Sequence, residues 1–239
     1  MSQVLSAPEV QVGGWPALAG CIDHTLLKPQ ASREQIVHLC EEAAYYGFAA
    51  VCVNPWWVNL CSAILRGAPV RIATVIGFPL GANHTTVKRF EAAEAVRTGA
   101  HELDMVMNIG ALKSGDRPSV QNDIAAVCDV AHSSGALVKV ILETPILTLE
   151  EKILSCELAL AAKADFIKTA TGFMGPTTIE DVSLLRGVVG DRAKLKASGG
   201  IRTAAAARAM IDAGADRIGD SNSVEIVREL GAPELASHH

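Results

Sequence analysis

Two lysines stand where a buried strand would end and a small turn would begin. Lys168 closes Asp165-Phe166-Ile167-Lys168 ahead of Thr169-Ala170-Thr171-Gly172. Lys196 stands in Lys194-Leu195-Lys196-Ala197 ahead of Ser198-Gly199-Gly200. A lysine at the end of an apolar strand is partly desolvated, and a second ammonium close by disfavours its charged form further. Both effects lower its pKa and free a nucleophilic amine, the group that forms a Schiff base with a carbonyl carbon. A carboxylate completes the set. In Glu102-Leu103-Asp104-Met105-Val106-Met107 the alternation of a strand puts Leu103, Met105 and Met107 on one face and Asp104 on the other. With the Leu/Met face against helices, Asp104 points into an interior where a carboxylate needs partners. Lys168 and Lys196 would supply them. Lys139 shares a face with Ile141 and Glu143 and reads as a supporting charge lower in the same interior. The alternative reading of the whole set is a buried ion cluster that only fills space.

The elements that must position these residues are legible as a repeated pattern. Short Val/Ile/Ala-rich runs fall at 20–23, 49–53, 70–76, 102–107, 137–143, 165–169, 194–197 and 216–219. They are continuous in apolar character, as strands covered on both faces are. Helical stretches alternate with them at 32–46, 85–98, 118–134, 148–162, 177–189, 203–213 and 221–230, with one more opened by Asn54-Pro55. Ser32 with Gln35 three residues on is a capping box, and Pro55 suits a first helical position. Eight βα units predict the α/β class and a single (β/α)8 TIM barrel over 20–232, with a lead at 1–19 and a tail at 233–239. The tail ends in His238-His239, as a tag remnant would. An open doubly wound sheet would carry a G-x-G-x-x-G after an early strand, and the chain has none.

In a barrel the chemistry sits at the carboxyl ends of the strands. There the sequence places Asp23 and Thr25 after the first strand, Cys52 near the mouth after the second, and Lys168 and Thr169 at the sixth. Gly199, Gly200 and Arg202 follow the seventh, and Gly219 and Ser221 the eighth. Glycine turns at these two positions let backbone N–H groups approach a phosphate. His24 reads as a packing residue, and no Asp, Glu and His trio has metal-ligand spacing, so neither a metal nor a cofactor is expected.

The bulk composition narrows the class. With 49% hydrophobic and 20% charged residues the chain is not a disordered one. A net charge of −5 without a Lys/Arg block gives no nucleic-acid footprint. No apolar run reaches the roughly 18 residues of a membrane span. Pro8, Glu9 and Pro16 argue against a signal peptide. The cysteines at 21, 40, 52, 61, 128 and 156 form no CxxC pair and read as reduced thiols of a cytoplasmic protein. Outer barrel helices commonly pair, so a homodimer is expected, with Trp56 and Trp57 as contact candidates.

Five motifs in order carry a resemblance to a known family. They are Asp23-His24-Thr25-Leu26-Leu27-Lys28-Pro29, Glu102-Leu103-Asp104-Met105-Val106-Met107-Asn108-Ile109-Gly110, Lys139-Val140-Ile141-Leu142-Glu143-Thr144, Phe166-Ile167-Lys168-Thr169-Ala170-Thr171-Gly172-Phe173 and Lys196-Ala197-Ser198-Gly199-Gly200-Ile201-Arg202-Thr203. The chain resembles the 2-deoxyribose-5-phosphate aldolases, class I aldolases of deoxyribonucleotide catabolism. The resemblance implies reversible cleavage of 2-deoxyribose 5-phosphate to glyceraldehyde 3-phosphate and acetaldehyde. It makes Lys168 the Schiff-base residue, Lys196 and Asp104 its proton partners, and Gly172, Gly199, Gly200, Gly219 and Ser221 the phosphate site. Cys52 would be a thiol open to unsaturated aldehyde by-products.

One departure stands out. The family usually carries Thr or Ala and then Ser-Ser after the glycine of the eighth strand; here the run is Gly219-Asp220-Ser221-Asn222-Ser223. Like unit charges about 4 Å apart near a protein surface repel by roughly 4 kcal/mol before screening. Asp220 therefore either turns away to cap the last helix or favours unphosphorylated aldehyde acceptors. Two further readings compete with the aldolase: a barrel lyase or isomerase using acid-base chemistry alone, and a binding protein without turnover.

Overall fold

The computed structural model describes residues 14–235. Residues 1–13 of the expected lead, and 236–239 of the expected tail with His238 and His239, lie outside them. Eight parallel strands close on themselves in sequence order. They are β1 (Ile22–Leu26), β2 (Ala50–Val53), β3 (Arg71–Ile76), β4 (Glu102–Val106), β5 (Leu137–Ile141), β6 (Phe166–Lys168), β7 (Lys194–Ser198) and β8 (Arg217–Asp220), with β8 pairing β1 to shut the ring. The helices are α1 (Trp15–Ala19), α2 (Arg33–Tyr46), α3 (Val58–Ile64), α4 (Thr85–Arg97), α5 (Ile109–Lys113), α6 (Arg117–His132), α7 (Leu149–Ala161), α8 (Ile179–Val189), α9 (Ala204–Asp212) and α10 (Ser223–Arg228).

Local chemistry explains the boundaries. Ser32 and Thr148 each complete a capping box, with Gln35 and Glu151 returning the bond. Asp116, Thr178 and Thr203 cap α6, α8 and α9 through side-chain oxygens. Gly47 ends α2 in the left-handed conformation, where a side chain would be strained. Pro55 opens not an α-helix directly but a 3-10 turn, Pro55–Trp57, that leads into α3. The lead contributes α1, whose Trp15 meets Tyr46 edge-on at 6.2 Å.

Two hydrophobic layers result. Leu103, Met105, Met107, Val51, Val53 and Ile167 lie in the large core between strands and helices. Ala50, Cys52, Ala73 and Val75 form a separate small cluster inside the ring. The alternation expected of β4 is the one observed. Among the described residues no helix is long and apolar enough to cross a membrane.

Candidate active site

The interior of the ring is divided. Strands β2 and β3 line it with small apolar groups, whereas the other six strands send in charge: Asp23, Glu102 and Asp104, Lys139, Lys168, Lys196 and Arg217. Parallel register sets the lysines side by side, with Lys168 opposite Lys196 on β6 and β7, and Lys139 opposite Asp104 on β5 and β4.

Asp104 is the hub, wholly buried. Its Oδ2 accepts from Lys168 Nζ at 2.7 Å and from Lys196 Nζ at 2.7 Å. The two amines are therefore at most twice that distance apart. Its Oδ1 accepts from Lys139 Nζ at 2.8 Å. Lys196 also donates to Asp23 Oδ2 at 2.5 Å. Deeper in the ring, Lys139 pairs with Glu102 at 2.5 Å, and Arg217 donates to Asp23 Oδ1 at 2.5 and 2.9 Å while lying 3.2 Å from Glu102.

The four cations feel this cage differently. Burial works against every buried ammonium. For Lys196 and Lys139 the surrounding carboxylates outweigh burial and hold the ammonium above its ordinary range. For Lys168 burial prevails: Asp104 opposes it, Lys196 reinforces it, and the amine is held below the ordinary lysine range. The sequence pointed to the neighbouring ammonium and to desolvation alike; the larger cause is desolvation. Asp104 and Asp23 lie well below the usual carboxylate range, their lysine partners overcoming the burial that acts against the charge.

Lys168, 4% exposed, is the member of this cage that opens to a cleft of about 260 Å3 at the carboxyl ends of the strands. Gly172, Gly199, Gly200, Arg202, Gly219 and Ser221, the residues expected to hold phosphate, all line the cleft with Thr25. Gly219 has a second reason to be glycine, because a Cβ there would meet Lys196 Cε at 2.8 Å. Gly199 packs against the Cα of Gly172 at 3.3 Å from where its own Cβ would stand, and its φ of +104° is one that side chains rarely adopt. A larger depression of about 670 Å3 opens at the amino-terminal side of β6 to β8, between Lys163, Arg186 and Asp216, away from the cage.

Four expected residues differ in place or role from what the sequence suggests. Cys52 lies within β2 and is 1% exposed rather than standing at the mouth. Burial, helped by Asp104, pushes its thiol up, so it is a poor nucleophile toward aldehydes. Thr169 does not line the cleft. Its hydroxyl donates to Ser198 O at 3.1 Å and accepts from Ser198 N at 3.0 Å, tying β6 to β7. Asp23 and Thr25 are on β1, not after it, because the strand runs on through Leu26. Thr25 bonds Asp23 O at 2.8 Å. His24 faces outward as expected, with Nε2 2.8 Å from Glu42.

Asp220 neither turns fully away nor lies open. It is 8% exposed, borders the cleft, and its Oδ2 accepts from Asn222 N at 2.8 Å, short of the first residue of α10. Burial pushes its carboxyl up to about 6 against that hydrogen bond.

Other groups went unremarked as functional. Arg217 and Glu102 face inward by the same alternation that marks Gly219 and Asp104, a signal the sequence does carry. Glu143 had none. It holds φ 66°, ψ 56° and is wholly buried, and its carboxylate accepts from Thr171 Oγ1 at 2.5 Å and Thr171 N at 3.1 Å. Thr171 Oγ1 in turn accepts from Phe173 N at 3.0 Å, so Glu143 fixes the loop beyond Lys168. A non-glycine residue in this conformation costs about 1–3 kcal/mol and persists where its surroundings demand it.

Comparison with known proteins identifies the family. Residues 18–228 match the model of the DeoC/LacD family aldolases. A deoxyribose-phosphate aldolase of Thermococcus gammatolerans is 59% identical, the alignment covering 88% of this chain and 95% of the relative. One of Thermococcus kodakarensis is 58% identical over 91% and 97%. A tetrameric deoxyribose phosphate aldolase structure from Aeropyrum pernix superposes with a TM-score of 0.86 at 34% identity, covering 91% of this chain and 92% of that one. A family match across almost all of the described barrel, joined to relatives this similar along their whole length, leaves one conclusion: the chain belongs to the DeoC/LacD aldolase family.

Proposed function

We propose that this chain is a class I aldolase that reversibly cleaves 2-deoxy-D-ribose 5-phosphate to D-glyceraldehyde 3-phosphate and acetaldehyde, with Lys168 as its Schiff-base residue. One observation carries the assignment. Among the four cations of the cage, Lys168 alone has its charge disfavoured, and it alone reaches the cleft. Its amine adds to the aldehyde carbon C1 of the open-chain sugar, and loss of water gives the imine. The imine draws electrons from the C2–C3 bond as the C3 hydroxyl loses its proton, releasing glyceraldehyde 3-phosphate and leaving an enamine. Protonation at C2 and hydrolysis release acetaldehyde and restore the amine. Asp104, whose Oδ2 accepts from Lys168 and from Lys196 at 2.7 Å each, forms with Lys196 the relay that holds and returns the proton. The glycine turns around Gly172, Gly199, Gly200 and Gly219, with Arg202 and Ser221 at the rim, receive the 5-phosphate. The barrel unit is 20–232.

A second reading of acceptor choice rests on Asp220. Its carboxylate already takes the Asn222 N–H at the cleft, a donor an incoming anion would otherwise use. This favours unphosphorylated aldehyde acceptors within the same mechanism. A homodimer is proposed as well. Trp57 packs on the core, but Trp56 and Phe90 stand 82% and 72% exposed beside one outer groove.

Borohydride trapping tests the assignment. With acetaldehyde, a covalent mass gain on Lys168 is expected, abolished in Lys168→Ala together with turnover. Undiminished turnover in Lys168→Ala would end the proposal. Comparing kcat/KM for acceptors with and without phosphate tests the second reading.

A further inference from the structure

The charges sealed inside the ring do not cancel. Three carboxylates, Asp23, Glu102 and Asp104, face Lys139, Lys196, Arg217 and Lys168. Charged throughout, this set carries one positive charge more than its acids can match. Lys139 touches three carboxylates, Glu102 and Asp104 closely and Asp23 at 3.6 Å; Arg217 touches Asp23 and Glu102, and Lys196 touches Asp23 and Asp104. Lys168 has only a share of Asp104 Oδ2, already taken by Lys196. It is the cation the cage can spare.

We propose that Arg217 and Glu102, neither of which reaches the reacting amine, are positioning residues that set this imbalance from the floor of the barrel and thereby keep Lys168 a free amine. The inference rests on Lys168 being the Schiff-base residue. Arg217 engages Asp23 and Glu102 and releases Asp104 to be shared by three lysines. Without Arg217 three acids would face three lysines, and Lys168 would keep its proton. Without Glu102 the excess would grow to two, and Lys168 would shed its proton more readily. The groups facing Lys168 from each strand are accounted for: Asp104 from β4, Lys196 from β7 and the Cys52 thiol from β2, with Lys139 of β5 and Asp23 of β1 behind them. Strand β3 presents Ala73 and Val75 to this interior, and Arg71 on the same face lies exposed at the strand's amino end. At the rim stand Lys28, Arg202 and Asp220, with the buried Glu143 carboxylate behind Thr171.

The test is the pH profile of trapping, read as mass gain on Lys168 with acetaldehyde and cyanoborohydride. Arg217→Met moves the midpoint up by about one unit, which is about tenfold less adduct at a fixed pH on the acid side. Glu102→Gln moves it down by a similar amount. Arg217→Met with Glu102→Gln removes one charge of each sign and returns the midpoint to the wild-type position, and Arg217→Lys leaves it there. A purely structural role would lower yield without these opposed, mutually cancelling shifts. A folded Arg217→Met with an unmoved midpoint, or single variants shifting in the same direction, overturns the proposal. Should Arg217→Met fail to fold, Glu102→Gln and the double variant decide: no downward shift in the first, or no return in the second, is equally fatal. Absence of any mass gain on Lys168 in the wild-type protein is a different result, and it removes the Schiff-base assignment itself.

Discussion

Asp220 makes folding and substrate binding respond to pH in a direction opposite to that of an ordinary paired carboxylate. Its carboxyl is pushed up to about 6 by burial, and an aspartate in an unfolded chain titrates near 3.9. Between those values the folded protein keeps a proton that the unfolded chain has lost. Stability therefore falls as pH rises from about 4 through about 6, and the loss is complete above the folded value. A gap of about two units at 1.36 kcal/mol each amounts to about 3 kcal/mol. Asp220→Asn removes the titration while keeping a side-chain oxygen for the Asn222 N–H. Its expected gain over the wild type is up to about 3 kcal/mol at pH 8 and under about 1 kcal/mol at pH 4. Urea denaturation of both proteins at the two pH values measures this, since every other titrating group is shared and drops out of the difference. Catalysis gives a second reading. Protonation of Asp220 removes a negative charge beside the phosphate turns, so the wild-type KM for the phosphorylated substrate should fall toward that of Asp220→Asn as pH drops below about 6. A stability difference that is the same at pH 4 and pH 8 would refute the reasoning, as it would show a carboxyl that titrates alike in the folded and unfolded chains.

Two further outcomes follow from buried polar groups. Glu143→Gln leaves the buried loop anchor with one acceptor in place of two, so about 1–3 kcal/mol of support for the Thr171–Phe173 loop is lost. KM is expected to rise more than kcat falls, and the reverse split in steady-state kinetics would argue that Glu143 serves the reacting amine instead. Lys88 and Asp123, wholly buried between α4 and α6 at 2.5 Å, behave as a sealed pair. Lys88→Met is expected to destabilise by about 3–5 kcal/mol by stranding Asp123, while Lys88→Met with Asp123→Leu loses much less, both read by denaturant unfolding.

Much of the fold could be read from the chain because parallel strands buried on both faces are continuous apolar runs, and seven of the eight lie within two residues of where those runs predict them. The first strand begins two residues later than its run and extends three beyond it. Asp23, His24 and Thr25 interrupt the apolar run, yet the ring tolerates Asp23 because Lys196 and Arg217 neutralise it. The eighth is displaced by one residue, Asp220 being admitted at its end as a buried acid held by the Asn222 N–H. Helix α5 escaped notice: five residues after Asn108 are too few for a helical period to show. Lys168, Lys196 and Asp104 could be found because strand alternation fixes the side each one faces. Who pairs with whom could not, since hydrogen bonds across the ring depend on strand stagger. Glu143 was out of reach for another reason, its role coming from a backbone conformation that no residue pattern announces.

A depressed lysine is not enough to identify a nucleophile, and this chain contains its own control. Lys88 is also buried, and burial also holds its amine below the ordinary range. But Lys88 is wholly buried, adds a bond to Val106 O at 2.9 Å, and pairs with an Asp123 whose one other partner is the neutral Thr85 hydroxyl at 2.8 Å. Losing its proton would leave Asp123 buried with no cation, so its charge is locked to the fold. Lys168 shares its one acceptor oxygen with Lys196, which remains to neutralise Asp104 when Lys168 gives up a proton. Deprotonation there strands no carboxylate. Reactivity thus follows from redundancy: the amine that can become neutral is the one whose carboxylate has another cation, and the ring places that amine where a carbonyl can enter.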